Sequence, residues 1–385
     1  MKEWTTYHLE DICKEILSGG DAAKYDCVKA KSNTYKYPVF ANAIDEDGLY
    51  GYCNDYVVNV PSVTIAARGA GTGYVAYRDT PYTPIVRLIS LIPKENVNPL
   101  FLYYRLKIAN LRGDGSAIPQ LTVPMVKKLK VTLPDYETQK TIANILRSLD
   151  VKIQLNKQIN DNLEQQAQAL YKSWFIDFEP FKDGEFVESE IGLIPEGWKV
   201  GTLSDLAEIT MGQSPSGKSY NECGEGILFY QGRAEFGDRY PSIRLYTTEP
   251  SRIAEQNSVL LSVRAPVGDT NIACNKCCIG RGLASIKAKH GFNSFIFYMI
   301  KSMRDQFDMY NGEGTVFGSI NRDSLNSLNV IVPTNDVINE FEKIVAPLDL
   351  KYKSLFAENL LLTQQRDTLL PKLMSGEIKV NEIDC

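Results

Sequence analysis

Three short stretches of this chain have residue types and spacing that could do chemistry. GQSPSGKS at 212–219 puts Gly212, Gly217, Lys218 and Ser219 at the positions of a nucleotide-binding loop. Such a loop must open a helix whose first N–H groups hold phosphate. The residues that follow, YNECGEGILFYQG, carry glycines at 224 and 226 and no helical period, and Pro215 stiffens the loop itself. The stretch is expected to be a turn, with Lys218 left for a phosphate contact. GAGTG at 69–73 follows an extended segment but leads into YVAYRD, also extended, which does not suit a dinucleotide or S-adenosylmethionine turn. Cys274 and Cys277 form one CxxC with Cys278 beside it, yet tetrahedral zinc takes four ligands, no second pair exists, and His290 has no histidine three to five residues on. Buried thiols are the expectation. His8 and His290 are the only histidines and lie in different halves, and no Ser/His/Asp or paired-carboxylate arrangement stands out. The residues therefore point to no catalytic, cofactor-binding or metal site.

The elements that would carry any function are legible in composition and charge. With 385 residues, 44% of them hydrophobic, the chain has material for two cores, which excludes disorder. No apolar run approaches the roughly 18 residues that would span a bilayer. The opening MKEWTTYHLEDICKEIL has no signal-peptide core, so a cytoplasmic location is expected, with the eight cysteines as free thiols. A net charge of −5 speaks against nucleic acid until it is divided. Residues 1–134 hold 16 basic and 13 acidic side chains and 197–334 hold 14 and 13, whereas 135–196 hold 6 and 12 and 335–385 hold 6 and 9.

The acidic stretches are also the helical ones. Leu146, Leu149, Ile153, Leu163, Leu170 and Trp174 recur at three- and four-residue steps, the pattern of a coiled-coil seam. Pro134-Asp135 and Pro333-Thr334 supply start signals; Pro180, and Pro371 with Gly376, supply stops. Pro347 argues against a straight second helix. The remaining blocks show short runs rich in Val, Ile, Tyr and Thr at 57–67, 85–92, 227–231, 258–264 and 328–332, divided by Gly, Asn, Asp and Pro. The expected organisation is a first globular domain at 1–134, a helix at 135–180, a loop-like acidic linker at 181–197, a second domain at 198–333 and a second helix at 334–376.

The two halves repeat. Trp4, Leu9, Asp11, Phe101, Tyr104 and Lys107 match Trp198, Leu203, Asp205, Phe295, Tyr298 and Lys301, 194 residues on. The register then shifts to 199, where Gly113, Gly115, Leu129, Val131 and Pro134 match Gly312, Gly314, Leu328, Val330 and Pro333. In the helices Leu149, Asp150, Lys152, Asn160, Gln165, Gln166 and Leu170 match Leu348, Asp349, Lys351, Asn359, Gln364, Gln365 and Leu369. The middles, 20–95 and 214–290, hardly align, although VTIAAR ends at Arg68 and VLLSVR at Arg264. The expected fold is α/β (α+β): two globular domains with pseudo-two-fold symmetry, separated by two long antiparallel coiled-coil helices. About 37 residues of helix span roughly 55 Å, so the helices would act as a ruler between two unlike readers.

LYKSWFIDFEPF (170–181) running into GLIPEGW (192–198), the C-terminal QQRDTLLPKLMSGEIKV (364–380) and the repeated GxG…L.V.(L/V)P elements resemble the specificity (S) subunit of type I restriction-modification systems. The resemblance covers nearly the whole chain. It implies two target-recognition domains, each reading one half of a bipartite, asymmetric double-stranded DNA site, and two helical spacers that set the gap and dock two methyltransferase (M) subunits, with restriction (R) subunits joining. It implies no cofactor in this chain: S-adenosylmethionine belongs to the methyltransferase, ATP and Mg to the restriction subunit. No Asn/Asp-Pro-Pro-Tyr tetrapeptide is present, so the chain is not expected to catalyse methylation alone. A scaffold whose globular ends bind proteins is the contrasting reading, and it predicts no sequence-specific DNA footprint.

Base edges are read mainly by Arg, Lys, Asn and Gln. In the divergent middles the candidates are Asn42, Asn54, Arg68, Arg78 and Arg87 in the first domain and Gln231, Arg233, Arg264 and Arg281 in the second, with Lys218 on phosphate. For helix pairing, Leu146, Leu149, Ile153, Leu163 and Leu170 are expected to face Val345, Leu348, Tyr352, Leu362 and Leu369, with Asn160 and Asn359 on the same stripe fixing register. Glu137, Asp150, Asp161 and Glu164 are expected on outward faces. Near-neutral domains predict weak DNA binding by this chain alone.

Overall fold

The computed structural model describes residues 4–69, 71–109, 111, 120–311 and 318–379. The repeated Gly113, Gly115, Gly312 and Gly314 lie outside them. The chain divides into two units, Met1–Leu155 with Glu358–Cys385, and Asn156–Ala357, so each division falls inside a long helix.

In the first unit β1 (Thr5–His8), α1 (Leu9–Ile12) and β2 (Cys13–Ser18) are followed by β3 (Cys27–Val28), β4 (Tyr37–Phe40), β5 (Leu49–Cys53), β6 (Ser62–Ile65), β7 (Val75–Arg78), β8 (Thr83–Pro84) and β9 (Ile89–Pro93). Then come α2 (Pro99–Lys107), α3 (Val123–Lys127), β10 (Lys130–Leu133) and the start of α4 (Tyr136–Phe175). One sheet runs β2-β9-β6-β7, a second β3-β5-β4-β8, and β1 pairs with β10. Local chemistry starts the helices: Asn98 accepts from Phe101 N at 3.0 Å with Pro99 at the first turn of α2, and Thr122 accepts from Met125 N in α3. The core is Leu9, Val63, Ile65, Leu91, Phe101 and Tyr104 with Leu146, Leu370 and Leu373.

The second unit contains a hairpin, β11 (Phe186–Ser189) and β12 (Gly192–Pro195), then β13 (Lys199–Thr202), α5 (Leu203–Leu206), β14 (Ala207–Met211), β15 (Tyr220–Asn221), β16 (Ile227–Tyr230), β17 (Leu245–Thr247) and β18 (Ile253–Ala254). It continues through β19 (Val259–Ser262), β20 (Thr270–Ile272), β21 (Cys277–Ile279), β22 (Leu283–Ala288), α6 (Asn293–Ser302), α7 (Arg304–Asp308), α8 (Arg322–Asn326), β23 (Asn329–Val332) and α9 (Asn335–Ser375). Its sheets run β14-β22-β19-β20 and β15-β17-β16-β21-β18, and β13 pairs with β23. The strand order of the first unit is thus repeated, with β18 added at the edge of the second sheet, including in the middles that hardly align as sequence. Two-residue strands joined by turns of different length leave backbone pairing intact while erasing a common register. The acidic stretch expected as a loop is the β11–β12 hairpin: Gly192 takes a left-handed φ of +109°, Ser189 Oγ donates to its carbonyl, and Ile194 is buried.

The motif LYKSWFIDFEPF…GLIPEGW closes as an aromatic cluster within this unit. Trp198 lies 5.8 Å from Phe175 and 5.0 Å from Phe181, ring to ring, and Phe175 lies 4.9 Å from Phe295. In the first unit Trp4, the repeat of Trp198, covers the end of α9: a Cβ on Gly376 would sit 3.0 Å from Trp4 Nε1, and Gly376 has φ +76°. Gly376 is the stop signal. Pro371 and Pro347 are not, since α9 passes through both. A proline inside a helix costs about 3 kcal/mol, but Val345, Tyr352, Leu370 and Leu373 on either side are buried, each contributing about 1.5–3 kcal/mol.

None of the twelve seam candidates is fully exposed. Leu146, Ile153, Asn160, Val345 and Tyr352 are buried, and Leu149, Leu163, Leu170, Leu348, Asn359, Leu362 and Leu369 are half-buried. Asn156, Ala167 and Leu355, which the spacing did not single out, are also buried. In the first unit Arg366 pairs with Asp150 at 2.9 Å, Asn359 Nδ2 donates to the Ile153 carbonyl at 3.3 Å, and Lys152 pairs with Glu358 at 3.5 Å. Leu146 shares a core with Leu370 and Leu373, Asp150 meets Arg366 and Ile153 meets Asn359, so the two segments run antiparallel. In the second unit Tyr171 and Phe175 pack on Phe341 at 6.1 and 5.0 Å.

Candidate nucleic-acid interface

Each unit exposes one corner where three strand ends meet. β6 and β19 are buried along their whole length, as are Ala66, Ala67 and Val263 after them. The first side chain to emerge is therefore an arginine, half-buried Arg68 in one unit and exposed Arg264 in the other. Both sit at the same place: Arg68 bridges Gln120 and Arg264 bridges Ser319, while Leu121 N donates to Ala67 O at 2.9 Å and Ile320 N to Val263 O at 3.1 Å.

A second arginine reaches each corner on the turn into the next strand, Arg87 between β8 and β9 and Arg281 between β21 and β22. Both are exposed. In the second unit Val263 N donates to Gly282 O at 2.9 Å, which ties the Arg264 strand end to the Arg281 turn. The amide candidates complete the corners. Gln231, just after β16, is exposed, and its carbonyl presses on the same turn so closely that a Cβ on Gly280 would stand 2.7 Å away. Asn42, two residues after β4, is half-buried: its Oδ1 accepts from Ala67 N at 2.8 Å and its Nδ2 donates to Val86 O.

Two candidates are displaced. Arg78 is not on the surface: it is 6% exposed, donates from Nε to Thr64 Oγ1 at 3.1 Å and from Nη2 to Asp47 O at 2.5 Å, and lies 3.5 Å over the Phe40 ring. Burial holds its pKa below the ordinary arginine value. It is the last residue of β7, a strand with three of its four residues buried, and strand direction turns its side chain to Thr64 and Asp47, which residue type alone does not reveal. Arg233 is exposed but pairs with Asp269 at 2.6 Å, a carboxylate it shares with Arg304. By contrast, among the described residues Arg68, Arg87, Arg264 and Arg281 have no carboxylate partner, and Arg68 Nε is buried without a hydrogen-bond partner. Asn54 and Lys218 are exposed on the connections after β5 and after β14. Lys218 lies in a single 3-10 turn, Gly217–Ser219, that leads straight into β15, so no helix opens at the phosphate-loop-like residues.

The repeated polar residues do a different job. Tyr104 donates to Asp150 at 2.6 Å and Tyr298 to Asp349 at 2.8 Å, the same pair in each unit. The cation beside it differs: Arg366 for Asp150, and Arg239, 1% exposed and 2.6 Å from the carboxylate, for Asp349. Asp150 and Glu164, expected on outward faces, are thus engaged internally, Glu164 with Lys301. The repeat signalled the Tyr and Asp positions; nothing in the sequence signalled which arginine would join them. Cys277 and Cys278 are buried in β21, and burial pushes the Cys277 thiol up to about 12. Among the described residues no three His, Cys, Asp or Glu side chains gather as a metal site.

The model of the type I restriction modification DNA specificity domain matches residues 1–165 and again 195–350, one match for each repeat. This chain belongs to that specificity family. Among its relatives, the putative type I restriction enzyme MjaX specificity subunit of Methanocaldococcus jannaschii is 36% identical over 311 residues, covering 77% of this chain and 72% of that one. The HindI specificity subunit of Haemophilus influenzae is 27% identical over 98% of this chain and its own whole length. In fold, this specificity-family chain is similar to the crystal structure of a type I restriction-modification S subunit from M. genitalium, with a TM-score of 0.67 and 16% identity over 97% of this chain and 96% of that one.

Proposed function

We propose that this chain is the non-catalytic subunit that aims a type I restriction-modification complex at DNA. Each unit reads one half of a bipartite, asymmetric site, and the long helices set the gap and dock two methyltransferase subunits, with restriction subunits joining the larger assembly. S-adenosylmethionine, ATP and Mg are assigned to those partners and none to this chain, and the complex is placed in the cytoplasm. The observation that carries this reading is the pair of corners: in both units two arginines without carboxylate partners among the described residues and an amide residue converge at the same three strand ends. Guanidinium forks of this kind suit the O6/N7 edge of guanine, each good bidentate contact discriminating by about 1–3 kcal/mol. Among the described residues no helix is long and apolar enough to cross a membrane.

The deciding experiment is to express the chain with its companion methyltransferase and map N6-methyladenine on host DNA at single-base resolution. The expected result is a split motif of which one half changes when residues 20–95 are exchanged for those of a relative and the other when 214–290 are exchanged. Methylation that ignores this chain would return the molecule to a protein-binding scaffold.

A further inference from the structure

The two corners are wired differently. In the second unit the strand end before Arg264 meets the Arg281 turn by a direct backbone bond, Val263 N to Gly282 O at 2.9 Å. In the first unit the corresponding donor, Ala67 N, turns instead to the Asn42 side chain at 2.8 Å, and the other end of that amide donates to Val86 O. One side chain is spliced between the Arg68 strand end and the Arg87 turn. The turn it holds is strained. Val86 and Arg87 both take left-handed φ, +50° and +62°, a region that is costly for a β-branched residue. Val86 is also 49% exposed, so burial of its side chain does not offset the strain. What retains the turn is backbone pairing, Val86 N to Gly20 O at 2.8 Å and Arg87 N to Gly19 O at 3.1 Å, and the Asn42 amide. The approach at Gly19 is open only to glycine, since a Cβ there would meet the Pro84 carbonyl carbon at 2.6 Å.

We infer that Asn42 is a positioning residue: by bridging Ala67 N and Val86 O it fixes Arg87 relative to Arg68, and so sets which base pairs the first unit accepts without reading a base itself. A bidentate grip on adenine needs the Oδ1 and Nδ2 of an asparagine turned together to the base, and here both are turned to backbone. The second unit needs no such residue because its turn touches its strand end directly. This inference rests on the reading that each unit recognises a DNA half-site.

The test is affinity of the complex with its companion methyltransferase for duplexes carrying every single base-pair change in both half-sites. Asn42→Ala is expected to lower discrimination about tenfold at the base pairs whose discrimination depends on Arg87, leaving the half-site read by the second unit unaltered. Added to Arg87→Ala it should do no further harm, because it acts through that side chain. Asn42→Asp, which keeps the acceptor for Ala67 N but sets an oxygen against Val86 O, should behave like Asn42→Ala. If Asn42→Ala does not assemble, Asn42→Asp carries the test, and Val86→Gly, which keeps the amide bridge and suits the left-handed φ, should leave discrimination at those base pairs intact. The inference is overturned if Asn42→Ala leaves the first half-site untouched, or erases discrimination at a base pair that Arg68→Ala and Arg87→Ala both leave intact, which would make Asn42 a reader. A wild-type complex indifferent to every base-pair change would instead overturn the DNA reading as a whole.

Discussion

Single arginines in this molecule separate by their surroundings. Arg264 and Arg281 emerge from buried strands with no carboxylate partner among the described residues. Arg264→Ala is therefore expected to cost about 1–3 kcal/mol of discrimination at one base pair of one half-site, read in the same duplex panel, without changing thermal stability. Arg239 is the opposite case. It is enclosed by Phe297 and Tyr352, whose ring centroids lie 4.6 and 4.7 Å from its guanidinium carbon, and is paired with Asp349. Arg239→Ala would leave that carboxylate without its cation, a change that costs about 3–5 kcal/mol for a buried pair. A fall in melting temperature of the second unit, at unchanged half-site preference of whatever remains folded, is the expected outcome. Residue type could not have sorted these arginines, because Arg78, Arg239 and Arg264 look alike until strand direction and burial are known.

At the scale of elements, the long helices carry both the regularity and its exceptions. Asn160 sits on the buried stripe at 5% exposure, and its Oδ1 has no hydrogen-bond partner among the described residues. An unsatisfied buried carbonyl of this kind costs about 1–3 kcal/mol, so Asn160→Leu is expected to raise thermal stability. If the asparagines fix register, combining it with Asn359→Leu should also yield mixed helix pairings, visible as loss of a single species by native mass spectrometry; unchanged assembly would remove that role from both. Gly376 ends α9 at φ +76° with Trp4 against it. Gly376→Ala should destabilise the first unit by about 1 kcal/mol or more, measured by denaturant unfolding. Helix existence and seam were readable from three- and four-residue spacing, whereas the passage of α9 through Pro347 and Pro371 was not, because the burial that outweighs a proline is tertiary.

For the whole molecule, near-neutral domains limit how far this chain alone can hold DNA. Its affinity for a specific duplex is expected to be weak and to fall shallowly with salt, and to steepen when the methyltransferase partner is added, since the slope counts neutralised phosphates. A titration at several salt concentrations, with and without the partner, checks this; an equally steep slope for the chain alone would move the phosphate contacts onto this subunit.

The duplication, the two helices, the frame of two α+β domains and the family were all determined by sequence, because each rests on residues whose spacing along the chain is itself the signal: Trp4 and Trp198, Tyr104 and Tyr298, Asp150 and Asp349, and the leucine stripe. Tertiary structure alone decided what the divergent middles share. Their sheets share one strand order apart from the added β18, and their corners bring together Arg68, Asn42 and Arg87 in one unit and Arg264, Gln231 and Arg281 in the other. It also decided that Arg78 turns inward, that Arg366 and Arg239 reach the repeated Asp from different parts of the chain, and that Asn42 is occupied by backbone. The physical reason is the same throughout: a periodic pattern is written locally, but the partner of a polar side chain is chosen by whichever distant strand or helix folding places beside it.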